Sequence, residues 1–182
     1  MISREQFARL FPGLTPSKQE PYKEALVAAM EEYGITSSQR IAAFLAQIGH
    51  ETAGLHYLQE LGGEEYFKRY DGRKDLGNAI PGDGARFHGR GMIQLTGRAN
   101  YREFGGLLGL DLEGNPDQAA EPEVGARIAA LFWDSRGCNE LADADRFEAI
   151  TRKINGGVNG LQDRLRRWEI ARAVLGLPRI VA

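Results

Sequence analysis

Apolar residues recur at intervals of three and four over most of this chain, and the pattern lapses only in a glycine-rich middle stretch. The clearest stripe is Ile41, Phe44, Leu45 and Ile48. It predicts a helix with one buried face, capped by Thr36, Ser37 or Ser38. Tyr22, Leu26, Ala29, Met30 and Tyr33 predict another helix, opened by Thr15 with proline at the first helical position and stopped by Gly34. Pro21 is expected to kink that helix or delay its start. Ser3 with Gln6 fits a capping box for a short helix ending near Phe11 and Pro12.

Beyond residue 97 the helical period returns. The pattern predicts helices over Arg98–Leu108, closed by Gly109, and from Pro122 onward, with Val124, Ile128, Leu131 and Phe132 inward. Two more are predicted over 144–154 and 161–175, the last closed by Gly176 and Pro178. Residues 116–120 read as a turn or short helix. Trp133 and Trp168 fall on apolar faces and are expected in the core. Between residues 62 and 91, glycines punctuate polar and aromatic residues. One short helix over 64–70 and a strand or two over 87–95 are expected, hence a hairpin at most. The fold class is therefore mainly α, α+β at most, in a single domain over 1–182.

Composition narrows the function classes. The 182 residues suffice for one core, and the formal charge of -2 exerts no global pull on nucleic acid or anionic membrane. The single cysteine, Cys138, excludes an internal disulfide and a multi-cysteine metal site. No apolar run is long enough to span a bilayer, and the N-terminus lacks the pattern of a signal peptide.

Two pieces carry candidate chemistry. The first holds Glu51, in the last turn of its helix, and Glu60, nine residues on. Burial and the negative end of the helix dipole both act to raise the pKa of a carboxyl at Glu51, which suits a general acid. On an unbroken helix the two would point to opposite faces, roughly 13 Å apart along the axis. Gly54 breaks the helix, so both are free to face one cleft, at the roughly 6.5–9.5 Å that leaves room for a water and predicts inversion. The bland alternative is two solvated side chains. His50 and Glu51 do not begin a zinc motif, because position 54 is glycine where a second histidine is needed.

The second piece runs from Gly89 to Tyr101. Gln94, Thr96 and Asn100 offer amides and a hydroxyl suited to sugar hydroxyls and N-acetyl groups, with Thr96 placed to hold a water. The alternative makes Thr96 the N-cap of the following helix. Arg90, Arg98 and Arg102 read as a basic patch or, more simply, a solvated face. Near the C-terminus, Asn155 precedes another glycine turn, and Asn155 and Arg164 are candidates for touching sugar or orienting an acid.

With these residues in view, the chain resembles glycoside hydrolase family 19, the chitinase family that also contains bacteriophage endolysins. The resemblance rests on Ala46 through Thr52, on Gly89 through Thr96 with Asn100 and Tyr101, and on Ile154 through Gly157. It implies a lysozyme-like fold with two helical lobes flanking a substrate cleft. It implies Glu51 as the general acid and Glu60 as the base, with Thr96 holding the attacking water where chitinases carry serine. His50, Gln94, Asn100 and Asn155 match substrate-binding positions, and Arg164 an arginine beside the acid.

The departures matter too. Plant chitinases carry a long insert between their glutamates, so Glu64 and Glu65 are alternatives for the base. Asn159 replaces a charged partner of the arginine, and Ala99 replaces an aromatic. The short segment resembles the phage and bacterial subgroup, which implies an endolysin-type muramidase acting on peptidoglycan strands. Chitin oligosaccharides are the alternative substrate, and a non-catalytic wall-binding module the alternative of another class. No cofactor, metal, nucleic acid or stable membrane association is expected. The implied protein is a monomer held in a host cytoplasm until release, with a separate holin by family analogy.

Overall fold

The computed structural model describes residues 2–180. Ten α-helices run through the described residues. They are α1 (Arg4–Leu10), α2 (Pro16–Glu32), α3 (Ser38–Glu51), α4 (Glu64–Phe67) and α5 (Asp83–Arg86). Then follow α6 (Arg98–Leu108), α7 (Pro122–Ser135), α8 (Cys138–Asp143), α9 (Phe147–Asn155) and α10 (Leu161–Val174). Short 3-10 turns cover Lys68–Tyr70, Lys74–Leu76 and Pro116–Ala120. The mainly α, lysozyme-like class expected from the sequence is the one found.

Local signals explain several starts. Ser3 and Gln6 form the full capping box of α1. The Ser37 hydroxyl caps α3 by accepting from the Arg40 N–H at 3.2 Å. The helix α2 begins at Pro16 and runs through Pro21, so that proline does not delay the start.

Helix α3 is the axis of the larger core. Ile41 through Gly49 are all buried, not only the predicted stripe, because Ala42, Ala43, Ala46 and Gly49 let neighbours close on the other faces. Phe7, Phe11, Leu26, Met30, Trp133, Phe147 and Trp168 complete that core. A second, smaller core gathers Phe87, Leu95, Tyr101, Leu108, Leu112, Ala119 and Ile128. Helix α7 serves both. Ala126, Ala129, Ala130 and Trp133 face the first, while Ile128, flanked by Val124 and Leu131, faces the second. The inward stripe predicted for α7 is thus one of two buried faces.

Three local expectations fail in part. The helix predicted over 144–154 is present as α9 but starts only at Phe147, and α8 precedes it over Cys138–Asp143, a helix that the sequence pattern does not predict. Helix α8 has weak local propensity. Tertiary contacts hold it: Cys138 and Ala142 are buried, and the Trp133 indole donates to Asn139 Oδ1 at 2.9 Å. Burial pushes the Cys138 thiol up to about 11. The strands expected over 87–95 are isolated antiparallel bridges, Gln59 with Arg90 and Arg90 with Leu95. Positive φ at Gly91 (79°) and Gln94 (55°) ends the extended run.

The third failure concerns the arginines at 90, 98 and 102. Arg90 is buried, donating to the carbonyls of Arg86 and His88 and to Tyr101 Oη. Arg98 bridges Asp83 and Glu113, and Arg102 also reaches Glu113. Arg90 and Arg98 are thus internal struts beside the smaller core rather than a surface patch, while Arg102 stays exposed, as a solvated face requires.

Candidate active site

The chain leaves α3 through an abrupt bend. Thr52 is fully buried; its hydroxyl donates to the Ile48 carbonyl and accepts the Leu55 N–H, each at 2.7 Å. Ala53, Gly54 and Leu55 then all take positive φ, at 49°, 78° and 66°. Two of these are not glycine, and each such residue costs on the order of 1–3 kcal/mol, so it persists only where its surroundings impose it. Here the Thr52 bonds and the buried Leu55 side chain do so. The break predicted at Gly54 is real, and it spans three residues.

Glu51, on the helical side of this bend, is half-buried. Arg164 Nη2 donates to its Oε1 at 2.5 Å. Arg164 is itself buried, donating through Nη1 to Gln47 Oε1 at 2.5 Å and through Nε to the Asn159 carbonyl at 3.1 Å. Gln47 passes the chain on to Thr151 Oγ1 at 2.8 Å. The Arg164 guanidinium is thus in direct contact with the Glu51 carboxylate. Asn159 contributes its backbone carbonyl to this network, so the arginine is held without a charged side chain at that position.

His50, the adjoining residue, points its Nδ1 at Asp163 Oδ2, 2.8 Å away. Asp163 also accepts from Arg166 Nη2 at 2.6 Å and Arg167 Nε at 2.7 Å. Burial alone would raise the Asp163 carboxyl, but hydrogen bonds from Arg167, His50 and Arg166 prevail and hold it well below the usual range. Gly160 makes room for the imidazole: a Cβ there would lie 2.3 Å from His50 Cε1.

Glu60 sits on the other side of the bend, secured by different elements. Its Oε1 accepts from Arg69 Nη2 at 2.6 Å and Tyr70 Oη at 3.0 Å. Its Oε2 accepts the Gly89 N–H at 3.2 Å, and its own N–H donates to the Gly89 carbonyl at 2.8 Å. Gly89 brings the second piece against it. A Cβ at Gly89 would lie 2.7 Å from Gln94 Oε1 and 3.3 Å from both Glu60 Oε2 and Thr96 Oγ1. Glu60, Gln94 and Thr96 therefore converge on one glycine. Glu64 and Glu65 are exposed, with Glu65 paired to Lys68.

Thr96 is not the N-cap of α6; Gly97 holds that place, and Asn78 Oδ1 accepts the Arg98 N–H instead. The Thr96 hydroxyl donates to the Gln94 carbonyl at 2.8 Å. Asn100 donates its amide to the Thr96 carbonyl at 2.7 Å, keeping Oδ1 as an acceptor. Asn155 is exposed at the end of α9, before Gly156 at φ 76°.

Behind this wall, His88 stacks on Phe67, with ring centroids 4.3 Å apart. Its Nδ1 lies 2.6 Å from the Ala85 carbonyl and its Nε2 2.9 Å from Gln59 Nε2. Burial lowers the imidazole's pKa, and the partners suit the neutral ring, with Nδ1 donating to the carbonyl and Nε2 accepting from the amide.

Sequence reasoning missed Arg69, Tyr70 and Asp163. Tyr66, Arg69 and Tyr70 do fall at intervals of three and four, a spacing that puts them on one face of a helical turn. Asp163 gave no signal, because its partner lies more than a hundred residues away. No group of three or more His, Cys, Asp or Glu side chains that could hold a metal occurs among the described residues.

The chain is similar to several known proteins. The family model described as chitinase class I matches residues 25–145. A glycosyl hydrolase family 19 domain-containing protein of Haemophilus influenzae is 32% identical, over 92% of this chain and 94% of that protein. An endochitinase of Arabidopsis thaliana is 35% identical over 78% of this chain and 50% of its own length, so the chain spans about half of that plant relative. The crystal structure of chitinase C from Streptomyces griseus superposes with a TM-score of 0.79 at 27% identity, covering 98% of this chain and 79% of that one. A family match over more than half the length, on a lysozyme-like fold, means that the chain belongs to glycoside hydrolase family 19 and is a glycosidase.

Proposed function

We propose that the chain hydrolyses the β-1,4 glycosidic bonds of peptidoglycan, as a muramidase of the endolysin type, with inversion at the anomeric carbon. Glu51 donates a proton to the leaving glycosidic oxygen. Glu60 takes one from the attacking water. The observation that carries the chemistry is that Glu60 Oε2 and Thr96 Oγ1 each lie 3.3 Å from where a Cβ at Gly89 would stand. The Thr96 proton is committed to the Gln94 carbonyl, so its oxygen is left to accept. A water that donates one hydrogen to Thr96 and the other to Glu60 has its remaining lone pairs free for attack. Loss of the second proton to Glu60 completes the step, and the two carboxyls acting on opposite faces of the sugar invert it.

His50, Gln94, Asn100 and Asn155 are assigned to the sugar's hydroxyl and N-acetyl groups. Arg164 holds the acid. Glu64 and Glu65 are exposed, whereas Glu60 accepts the Gly89 N–H beside Gln94 and Thr96, which favours Glu60 as the base.

Peptidoglycan is favoured by the short route between the acids. Only eight residues lie between them, and the rim beside Glu60 exposes Tyr57, Leu61 and Tyr66. A glycan that carries peptide branches needs such a rim. On this reading the enzyme acts on the wall after release from a host cytoplasm by a separate holin. Chitin is the second reading, favoured by the relatives named endochitinase and chitinase.

Parallel digests of purified peptidoglycan and chitin oligosaccharides, read by mass spectrometry, decide between them. New reducing-end muramic acid supports the proposal. Products from chitin alone overturn the substrate assignment. A first-formed β-anomer, read by proton NMR, would overturn inversion.

A further inference from the structure

The rim segment that follows Glu60 reaches back to touch it. Helix α4 and the 3-10 turn Lys68–Tyr70 place Tyr66, Arg69 and Tyr70 side by side. The Arg69 guanidinium lies over the Tyr66 ring, 3.7 Å from its centroid, and 4.7 Å from the Tyr70 centroid. From that seat Nη2 donates both to Glu60 Oε1, at 2.6 Å, and to Tyr70 Oη, at 2.8 Å. Tyr70 in turn donates to the same Oε1 at 3.0 Å. Arg69, Tyr70 and Glu60 thus close a triangle.

The backbone under this triangle is anchored on both sides. Phe67 is buried against His88. Asn78 Nδ2 donates to the Tyr70 carbonyl at 2.9 Å, and the next residue, Asp71, accepts the N–H groups of Gly82 and Gly84. Arg69 itself is 46% exposed and contributes little to either core. Its side chain has one evident task, which is to meet Glu60.

The consequence is a division of labour between two oxygens of one carboxylate. Oε1 is occupied by Arg69 and Tyr70. Oε2 carries a single backbone N–H and faces Gln94 and Thr96. We propose that Arg69, backed by Tyr70, is a positioning residue for the water-activating step: it fixes the rotation of the Glu60 carboxylate so that only Oε2 meets the water. This rests on the reading of Glu60 as the base.

The test uses the full chain and two soluble probes, an N-acetylglucosamine hexasaccharide and uncrosslinked peptidoglycan strands. Rates are taken on whichever the wild type cleaves. Arg69→Met is expected to lower kcat roughly ten- to hundredfold, as a misaimed catalytic group does. KM should stay within about twofold and the thermal midpoint within about one degree. Arg69→Lys should restore part of kcat, because an ammonium returns the charge and a donor without the planar fork. Tyr70→Phe should fall between them.

In a Glu60→Gln background, Arg69→Met should cost nothing further, since residues that act as a unit are not additive. An unchanged kcat in Arg69→Met overturns the proposal. So does a raised KM at constant kcat, which would make Arg69 a sugar contact, or a midpoint that falls in step with kcat. A Glu60→Gln protein with wild-type kcat would remove the base itself, a failure visible without any Arg69 variant.

Discussion

Glu60 and Gly89 hold each other by two hydrogen bonds of opposite sense. The glutamate N–H donates to the glycine carbonyl, and the glycine N–H donates to the glutamate carboxylate. One residue without a side chain therefore registers both backbone and carboxylate of the proposed base. Gly89→Ala is expected to leave the fold intact, because the Cβ would press on the movable end of Gln94. Stability should change by less than about 1–2 kcal/mol. Activity should fall roughly tenfold or more, since the methyl would intrude between Glu60 and Thr96. Urea unfolding and kcat on the same preparation check both.

Glu51 and Arg164 should separate stability from catalysis. Arg164 is buried, and Arg164→Met takes a donor from Glu51, Gln47 and Asn159 at once. A loss of about 3 kcal/mol is expected, the low end of the range for broken buried pairs, because Glu51 remains partly solvated. Glu51→Gln keeps an oxygen that accepts from Arg164, so it should unfold later than Arg164→Met. It should still lose roughly 10²–10⁴ in kcat as the proposed proton donor disappears. Denaturant midpoints ranked the other way would contradict the network.

His88 predicts a pH dependence of stability. Burial depresses its folded pKa below the ordinary 6.5. The unfolded chain therefore binds more protons as pH falls through that value, so the contribution is full above pH 6.5 and lost below it. Carboxylates with lowered pKa act only at more acid pH, so the His88 contribution is read between pH 7 and about 5.5 by comparison with a variant that lacks it. The urea midpoint of the wild type should fall across that window. His88→Gln, which cannot titrate, should show a flatter profile, though a lower stability at pH 7.

Gly160 should resist substitution for two reasons. Its φ is 69°, and a Cβ would stand 2.3 Å from His50 Cε1. Gly160→Ala is expected to cost about 1–2 kcal/mol from the backbone alone, with more from displacing the imidazole that Asp163 holds. In the double variant with His50→Ala the collision is gone and only the backbone strain remains, so the two losses should be less than additive. Thermal melts of the four proteins in this cycle measure the difference.

Local sequence revealed what local physics decides. The capping box at Ser3, the buried stripe of α3, the core tryptophans and the helix break near Gly54 all depend on residues close in sequence. Family motifs then singled out the two glutamates. What stayed hidden depends on distant partners. Helix α8 exists because Trp133 and its neighbours bury it, and Arg90 and Arg98 look solvated until Tyr101, Asp83 and Glu113 meet them. Asp163 is an ordinary acidic residue until His50 arrives from another helix. The strands over 87–95 failed for a backbone reason, since a positive φ at Gln94 has no strong sequence signature.

The bend at Ala53, Gly54 and Leu55 has a consequence for how such a cleft can evolve. Three successive left-handed residues act as a stiff bracket, with Thr52 as its rivet. The direction in which the chain leaves α3 towards Glu60, the proposed base, is then set by backbone torsions rather than by side-chain length. Exchanging individual residues around it retunes affinity, but a cleft of another width requires a different bracket, made by inserting or deleting chain at this one point.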